Sequence, residues 1–225
     1  MPVPREPQQH RPPRGPFDPA RAAQYPAVIG LDEVGRGALC GPVVVAAVWF
    51  DPARVPPDLI ARLDDSKRLP APVREALAPL IRAQARVALA AASRALVDRV
   101  NVRAATLDAM ARAVARLGLD APVLVDGIDP VPGLPCRAVV GGDRLVPQIA
   151  AASILAKTVR DALMRRLAPR HPAYAWERNA GYGTPAHRAG LAAQGLSPHH
   201  RRSFTRWFGA APETVAMPLP QNRSS

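Results

Sequence analysis

The first apolar run of the chain, Val28-Ile29-Gly30-Leu31, ends in two adjacent carboxylates, Asp32 and Glu33. Gly35-Arg36-Gly37 and a second apolar run over 42–50 follow. Short apolar runs bounded by turn residues read as buried strands. The stretch is therefore predicted as a strand, a tight glycine turn carrying Arg36, and a returning strand. Neighbours on a strand point to opposite faces. Asp32 and Glu33 share one site only where the strand ends or twists, which the following glycines permit.

Beyond this pair, Asp51-Pro52 and Val55-Pro56-Pro57 mark a loop, 58–63 a short helix, and Asp64-Asp65-Ser66-Lys67-Arg68-Leu69 a polar segment. Pro72 sits where a helix over 73–83 begins, and 86–92, small and apolar, reads as a strand. Asn101 caps a long helix over 102–117 that Gly118 ends, with Leu107, Met110, Val114 and Leu117 on its apolar side. Residues 122–127 form a short strand with Asp126 at its end. A proline-punctuated loop over 128–135 leads to a strand at 136–140, closed by Gly141-Gly142-Asp143. Pro147 opens a helix over 148–167. Its core side is Ile149, Ala152, Ala156, Val159 and Leu163, while Ser153, Lys157 and Asp161 line a separate stripe at i, i+4 and i+8. Pro169 and Pro172 stop it. Thr184 caps a helix over 185–194, and Ser197 a last one through 199–208.

Strands followed by amphipathic helices, with acids at two strand ends, imply an α/β domain whose site lies at one edge of a sheet. Residues 1–25, rich in Pro, Gln and Arg, read as a disordered tail. Residues 26–208 read as one folded domain and 209–225 as a flexible C-terminal tail.

Composition adds a partner class. The 225 residues carry a formal charge of +12, which favours a polyanion: nucleic acid first, an acidic membrane surface second. The two cysteines, Cys40 and Cys136, are too few for a disulfide framework and lack zinc-site spacing. Two buried thiols in a reducing cytoplasm are expected. No run is long enough to cross a membrane, and the start has no signal-peptide core. His187, His199 and His200 have no partner at ligand spacing and read as surface residues.

Asp32, Glu33 and Asp126 come from two strand ends, and Asp161, on a helix beside Lys157, completes an expected cluster. Taken singly, each has a plainer reading: Asp126-Gly127 as a turn, Asp161 as a solvated ion pair, Arg36 as a loop tip, Tyr182 as packing. Taken together, the four carboxylates form a group that will not stay ionised unless cations neutralise it. Hard oxygen ligands suit Mg²⁺ or Mn²⁺, and two such ions roughly 4 Å apart are a known device for phosphodiester cleavage.

The chain resembles the ribonuclease HII family. The match is carried by GLDEVGRGALCGPVVVAAV at 30–48, DDSKRL at 64–69, NVRAATLDAM at 101–110, VLVDG at 123–127, AAASILAKTVRD at 150–161, GYGTPAH at 181–187 and GLSPHHRRSF at 195–204. It covers about residues 26–208, in the family order, which makes that span a ribonuclease HII-like catalytic domain. The resemblance implies a ribonuclease H-like fold: a mixed β-sheet flanked by α-helices, with additional C-terminal helices. It also implies endonucleolytic cleavage of RNA in RNA–DNA hybrids and 5′ to single ribonucleotides in duplex DNA, leaving 3′-hydroxyl and 5′-phosphate ends. By the same resemblance, Asp32, Glu33, Asp126 and Asp161 are the catalytic and metal-binding acids, with Mn²⁺ or Mg²⁺. Gly35, Arg36 and Gly37 sense the 2′-hydroxyl at the RNA–DNA junction, Tyr182 stacks on the following sugar, and Lys67 and Lys157 partner phosphate or acid. Ile128, where the family often has a polar residue, and the apolar Arg144-Leu145-Val146-Pro147 depart from the pattern.

A binding module that kept the scaffold and lost the chemistry is the next reading; carboxylates facing phosphates argue against it. Another two-metal nuclease of similar fold is disfavoured by the Gly-Arg-Gly turn and the Gly-Tyr-Gly-Thr segment. The expected partner is hybrid or ribonucleotide-containing duplex, without a membrane, and the expected state is a monomer.

Overall fold

The computed structural model describes residues 17–205. Its five-stranded sheet has the order β3-β2-β1-β4-β5. Strand β1 is Ile29–Val34, β2 Val43–Trp49, β3 Arg86–Ala92, β4 Val123–Asp126 and β5 Cys136–Val139. The first three are antiparallel neighbours, whereas β4 runs parallel to β1 and β5 parallel to β4. The sheet is thus mixed, as expected.

Alternation along the strands divides the core. Val43, Val45 and Ala47 face one side with Ile29 and Leu31, packed beneath α3 (Arg94–Val100) and α4 (Val102–Leu117). Val44, Ala46 and Val48 face the other, packed against α1 (Pro57–Arg62), α2 (Ala71–Gln84) and α5 (Pro147–Leu167). A layer of helices on each face buries both sides of the central strands. Two short helices, α6 (Trp176–Asn179) and α7 (Pro185–Gln194), follow α5. Tyr174 and Trp176, just before and at the start of α6, and Leu191 in α7 share a third cluster with Cys40 and Met164.

Helix ends form where their capping chemistry lies. Asn101 Oδ1 accepts from the Ala104 N–H at 2.9 Å, and Gly118 ends α4 in the left-handed conformation at φ 63°. Thr184 Oγ1 accepts from the His187 N–H at the start of α7. Helix α5 crosses β1 closely: a Cβ on Gly30 would lie 2.3 Å from the Gln148 carbonyl carbon.

Several expectations are corrected. The tail expected through residue 25 includes a 3₁₀ turn at Pro19–Gln24 and a buried Phe17 edge-on to Tyr25. Residues 1–16 and 206–225, including the 209–225 tail, lie outside the described residues. Strand β2 lies within the expected run over 42–50, but residues 35–42 connect it to β1 as a longer loop rather than a tight turn. Helix α3, capped by Ser93, was not anticipated. Leu163, expected in the core, is exposed, and Cys136 is half-buried. Ser197 caps no helix: its hydroxyl meets His200 Nδ1 at 2.8 Å, and His200 bridges to Cys40. No described helix is long and apolar enough to cross a membrane.

Candidate active site

Parallel pairing sets the site. Leu31 lies opposite Val125, so Asp32 and Asp126 leave the same end of adjacent strands. That is the end at which open α/β sheets build ligand crevices. Beyond β5, Gly141 adopts a left-handed φ of 65° and turns the chain back. The Gly142 N–H then donates to Asp126 Oδ1 at 2.7 Å, which delivers the buried Asp143 to the same strand ends.

Electrostatics ties these acids together. Burial pushes the Asp32 carboxyl well above its usual range, and the charges of Glu33 and Asp126 push it further. Burial also raises Glu33, against the pull of Arg36, whose Nη1 lies 3.4 Å from Oε1. Asp143 is raised to about 6, by burial first and then by Asp126 and Asp65. Lys67 completes the ring. Burial acts to lower its pKa, but Asp65, Asp32, Asp143 and Asp126 together hold it above its usual value.

Asp32 and Glu33 straddle the end of β1. Asp32 is on the α5 side, where Ser153 holds it and Ser153 Oγ meets Ser66 Oγ at 2.8 Å. Glu33 opens into a cleft with Arg36, Thr106, Asp126 and Ile128. No three of these acids bring oxygens within 4.8 Å of one another, as suits like charges ringing a cleft. The donors are hard carboxylate oxygens whose charged forms are disfavoured by burial and by one another. That set fits divalent cations of the Mg²⁺ or Mn²⁺ kind.

Asp161 is placed elsewhere. Its carboxylate accepts from Lys157 Nζ at 2.8 Å and Arg74 Nη2 at 3.3 Å. The charges acting most strongly on Asp32, Glu33 and Asp143 do not include it. In the sequence alone, Gly141-Gly142-Asp143 reads as a turn that closes β5. The signal that finds Asp143 is the parallel β4–β5 pairing, which sets the turn after β5 beside Asp126.

The Gly-Arg-Gly turn and Tyr182 are brought together. The Leu39 N–H donates to the Gly181 carbonyl at 2.9 Å, and the Tyr182 ring lies 5.7 Å from Lys157 Nζ and 5.2 Å from Arg160 Cζ. Lys157 therefore stands between Asp161 and Tyr182, and Lys67 alone of the two expected lysines stands among the strand-end acids.

His187 and His200 are buried rather than at the surface, and His199 is half-buried. Cys40, His187 and His200 place donor atoms within 4.8 Å of one another. One proton arrangement pairs both imidazoles within the chain, with two donors sharing the His187 Nε2 lone pair. His187 Nδ1 donates to the Tyr182 carbonyl at 3.0 Å. His187 Nε2 then accepts from Trp176 Nε1 at 3.1 Å and His200 Nε2 at 3.0 Å, while His200 Nδ1 accepts from the Ser197 N–H at 2.9 Å. Burial pushes the Cys40 thiol up to about 12 despite Arg160 and Arg201 nearby. The His187 bond to the Tyr182 carbonyl ties the segment that carries Tyr182 to this buried group.

Comparison with known proteins agrees with the fold and the motifs. A family model described as Ribonuclease HII matches residues 29–207. The ribonuclease HII of Paramagnetospirillum magneticum is 56% identical over 180 residues, covering 79% of this chain and 89% of that one. Among solved structures, the ribonuclease HII of Archaeoglobus fulgidus, determined in complex with PCNA, superposes with a TM-score of 0.66. It is 28% identical and covers 79% of this chain and 93% of that one. The ribonuclease H2 of Pyrococcus horikoshii OT3 shares the fold at a TM-score of 0.71, with 22% identity over 81% of this chain and 97% of that one. Acids at parallel strand ends, a Gly-Arg-Gly turn followed by Leu39 bonded to the Gly-Tyr-Gly segment and a match along nearly all of the described residues have one common source: the chain belongs to the ribonuclease HII family.

Proposed function

We propose that this protein is a divalent-cation-dependent endonuclease that cuts the RNA strand of RNA–DNA hybrids and cuts duplex DNA on the 5′ side of a single embedded ribonucleotide. The observation that carries the reading is the convergence of Asp32, Glu33, Asp126 and Asp143 at the ends of β1, β4 and β5. These four residues would hold the cations, Mn²⁺ or Mg²⁺. When bound, such ions neutralise the acids and supply Lewis acidity for phosphodiester hydrolysis.

The chain's own groups supply the rest. Ser153 holds Asp32 from the α5 side and is itself hydrogen-bonded to Ser66. Lys67, positioned by the acids, offers an ammonium to a phosphate oxygen at the edge of the cleft. The turn at Gly35, Arg36 and Gly37 lets backbone groups approach the 2′-hydroxyl, the one group by which a ribonucleotide differs. Tyr182 lays a ring against the next sugar, which favours a deoxyribose there. Hydrolysis adds the oxygen of water to phosphorus and breaks the P–O3′ bond, leaving a 3′-hydroxyl and a 5′-phosphate. Lysines and arginines elsewhere bind phosphates without reading sequence.

An Asp32→Asn variant separates this reading from a pure binding module. Loss of cleavage with hybrid binding retained supports the enzyme. Binding without turnover by the unaltered protein, in Mg²⁺ and in Mn²⁺, contradicts it.

A further inference from the structure

Arg160 and Arg201 are both fully buried, and neither forms a salt bridge with a carboxylate among the described residues. Burial lowers both pKa values, Arg201 to about 10, and the Arg160 charge lowers Arg201 further. Burying a guanidinium without an acid partner is costly unless its hydrogen bonds are satisfied. Every one of these is spent on backbone carbonyls, and nearly all lie in one loop.

Arg160 Nε donates to the Pro42 carbonyl at 3.0 Å, Nη2 to Cys40 at 3.1 Å, and Nη1 to Ala180 at 2.7 Å. Arg201 donates to the carbonyls of Gly41 and Arg36, at 2.9 and 2.8 Å. Arg160 touches both halves of the proposed junction sensor. Its guanidinium packs under Gly35, where a Cβ would meet Nε at 2.1 Å, and its Cζ lies 5.2 Å from the Tyr182 ring centroid. The Ala180 carbonyl it holds is two residues before Tyr182.

We infer that Arg160 is a positioning residue that fixes the Gly-Arg-Gly turn and the Tyr182 ring as one rigid unit, so that selectivity for a ribonucleotide–deoxyribonucleotide junction depends on it. The inference rests on the junction role proposed above for that turn and that ring. A planar fork reaching carbonyls on two segments cannot be reproduced by lysine, which keeps the charge but places its donors on one nitrogen. Arg160 itself is fully buried and acts through what it holds.

The test is the ratio of kcat/KM on DNA duplex with one ribonucleotide to kcat/KM on uniform RNA–DNA hybrid. It is measured for the unaltered protein, Arg160→Lys and Tyr182→Ala. A purely structural role lowers the folded fraction and scales both rates equally, leaving the ratio unchanged. Arg160→Lys is expected to lower the ratio about tenfold or more, since a misplacement of about 1 Å can cost about 100-fold. Tyr182→Ala is expected to lower it too. A ratio lost in Tyr182→Ala and kept in Arg160→Lys overturns the inference alone. A ratio kept in both overturns the junction role itself, and the inference with it. If Arg160→Lys does not fold, hydrogen exchange on the unaltered protein decides. Slow exchange at the Leu39 and Tyr182 amides, comparable to β1, supports a rigid unit, and rapid exchange there overturns it.

Discussion

The Gly142 N–H donates to Asp126 Oδ1 at 2.7 Å. That bond ties the turn after β5 to the end of β4 and sets Asp143 among the strand-end acids. Asp143→Asn should therefore lower cleavage roughly 100-fold or more, since losing even outer partners of a metal site costs 10–100-fold. Asp161→Asn should leave most activity. Its cost should appear as a lower melting temperature, because Lys157 and Arg74 lose the negative charge they share and one of its two oxygens. Steady-state rates and thermal melts of the two variants check the contrast.

Asp143 also predicts a pH effect. Its folded pKa of about 6 lies above the usual 3.8. Between those values the native state holds a proton that the unfolded state has released, so this contribution to stability is full below about pH 4 and is lost as pH rises through about 6. His200 runs the other way. Its pKa is lowered from 6.5 to about 4, by burial first and then by His187, so its contribution is full above pH 6.5 and lost as pH falls. Comparing variants isolates the Asp143 contribution: the melting temperature of Asp143→Asn, relative to the unaltered protein, should rise from pH 4 to pH 7. A flat difference contradicts the burial and repulsion assigned to Asp143.

Cations should relieve the same repulsion. Mg²⁺ or Mn²⁺ should raise the melting temperature of the unaltered protein at pH 7, through binding to the native state alone. The rise should be smaller at pH 5, where protons compete for the acids, and smaller again in Asp126→Asn. Differential scanning fluorimetry across metal concentrations measures it.

Gly30 predicts a defect of folding rather than chemistry. A Cβ there meets the Gln148 carbonyl carbon at 2.3 Å and the Ile149 nitrogen at 2.4 Å. These are backbone atoms of α5, which cannot swing aside. Gly30→Ala should destabilise the fold by about 1–3 kcal/mol or more, as overpacking does, seen as a lower urea midpoint.

What was legible in the sequence is what local chemistry decides. Asn101 and Gly118 bound α4, Thr184 starts α7, and the apolar run with its terminal acids marks β1 and the site. What was missed depends on distant contacts. Ser93 and Asn101, each one residue long as a connection, isolate α3 between a strand and a longer helix, so its seven residues carried too little periodicity to separate. His200 looked exposed because its partners, Cys40 and His187, come from other segments. The stripe Ser153, Lys157 and Asp161 is a true helical face, but eight residues span about 12 Å at 1.5 Å each. Ser153, at one end, meets Asp32, while Asp161, at the other, meets Arg74 on α2. Asp143 was hidden because Gly-Gly-Asp is a turn by itself and an acid of the cleft only once β5 lies parallel to β4.

The most direct measurement maps the cut in a DNA duplex carrying one ribonucleotide, with Mn²⁺ or Mg²⁺, beside an all-DNA duplex. The account predicts a single cut on the 5′ side of the ribonucleotide, a 3′-hydroxyl and a 5′-phosphate at the nick, an intact all-DNA duplex, and loss of the cut in Asp143→Asn. No cut by the unaltered protein in either metal, or a cut undiminished in Asp143→Asn, would contradict it.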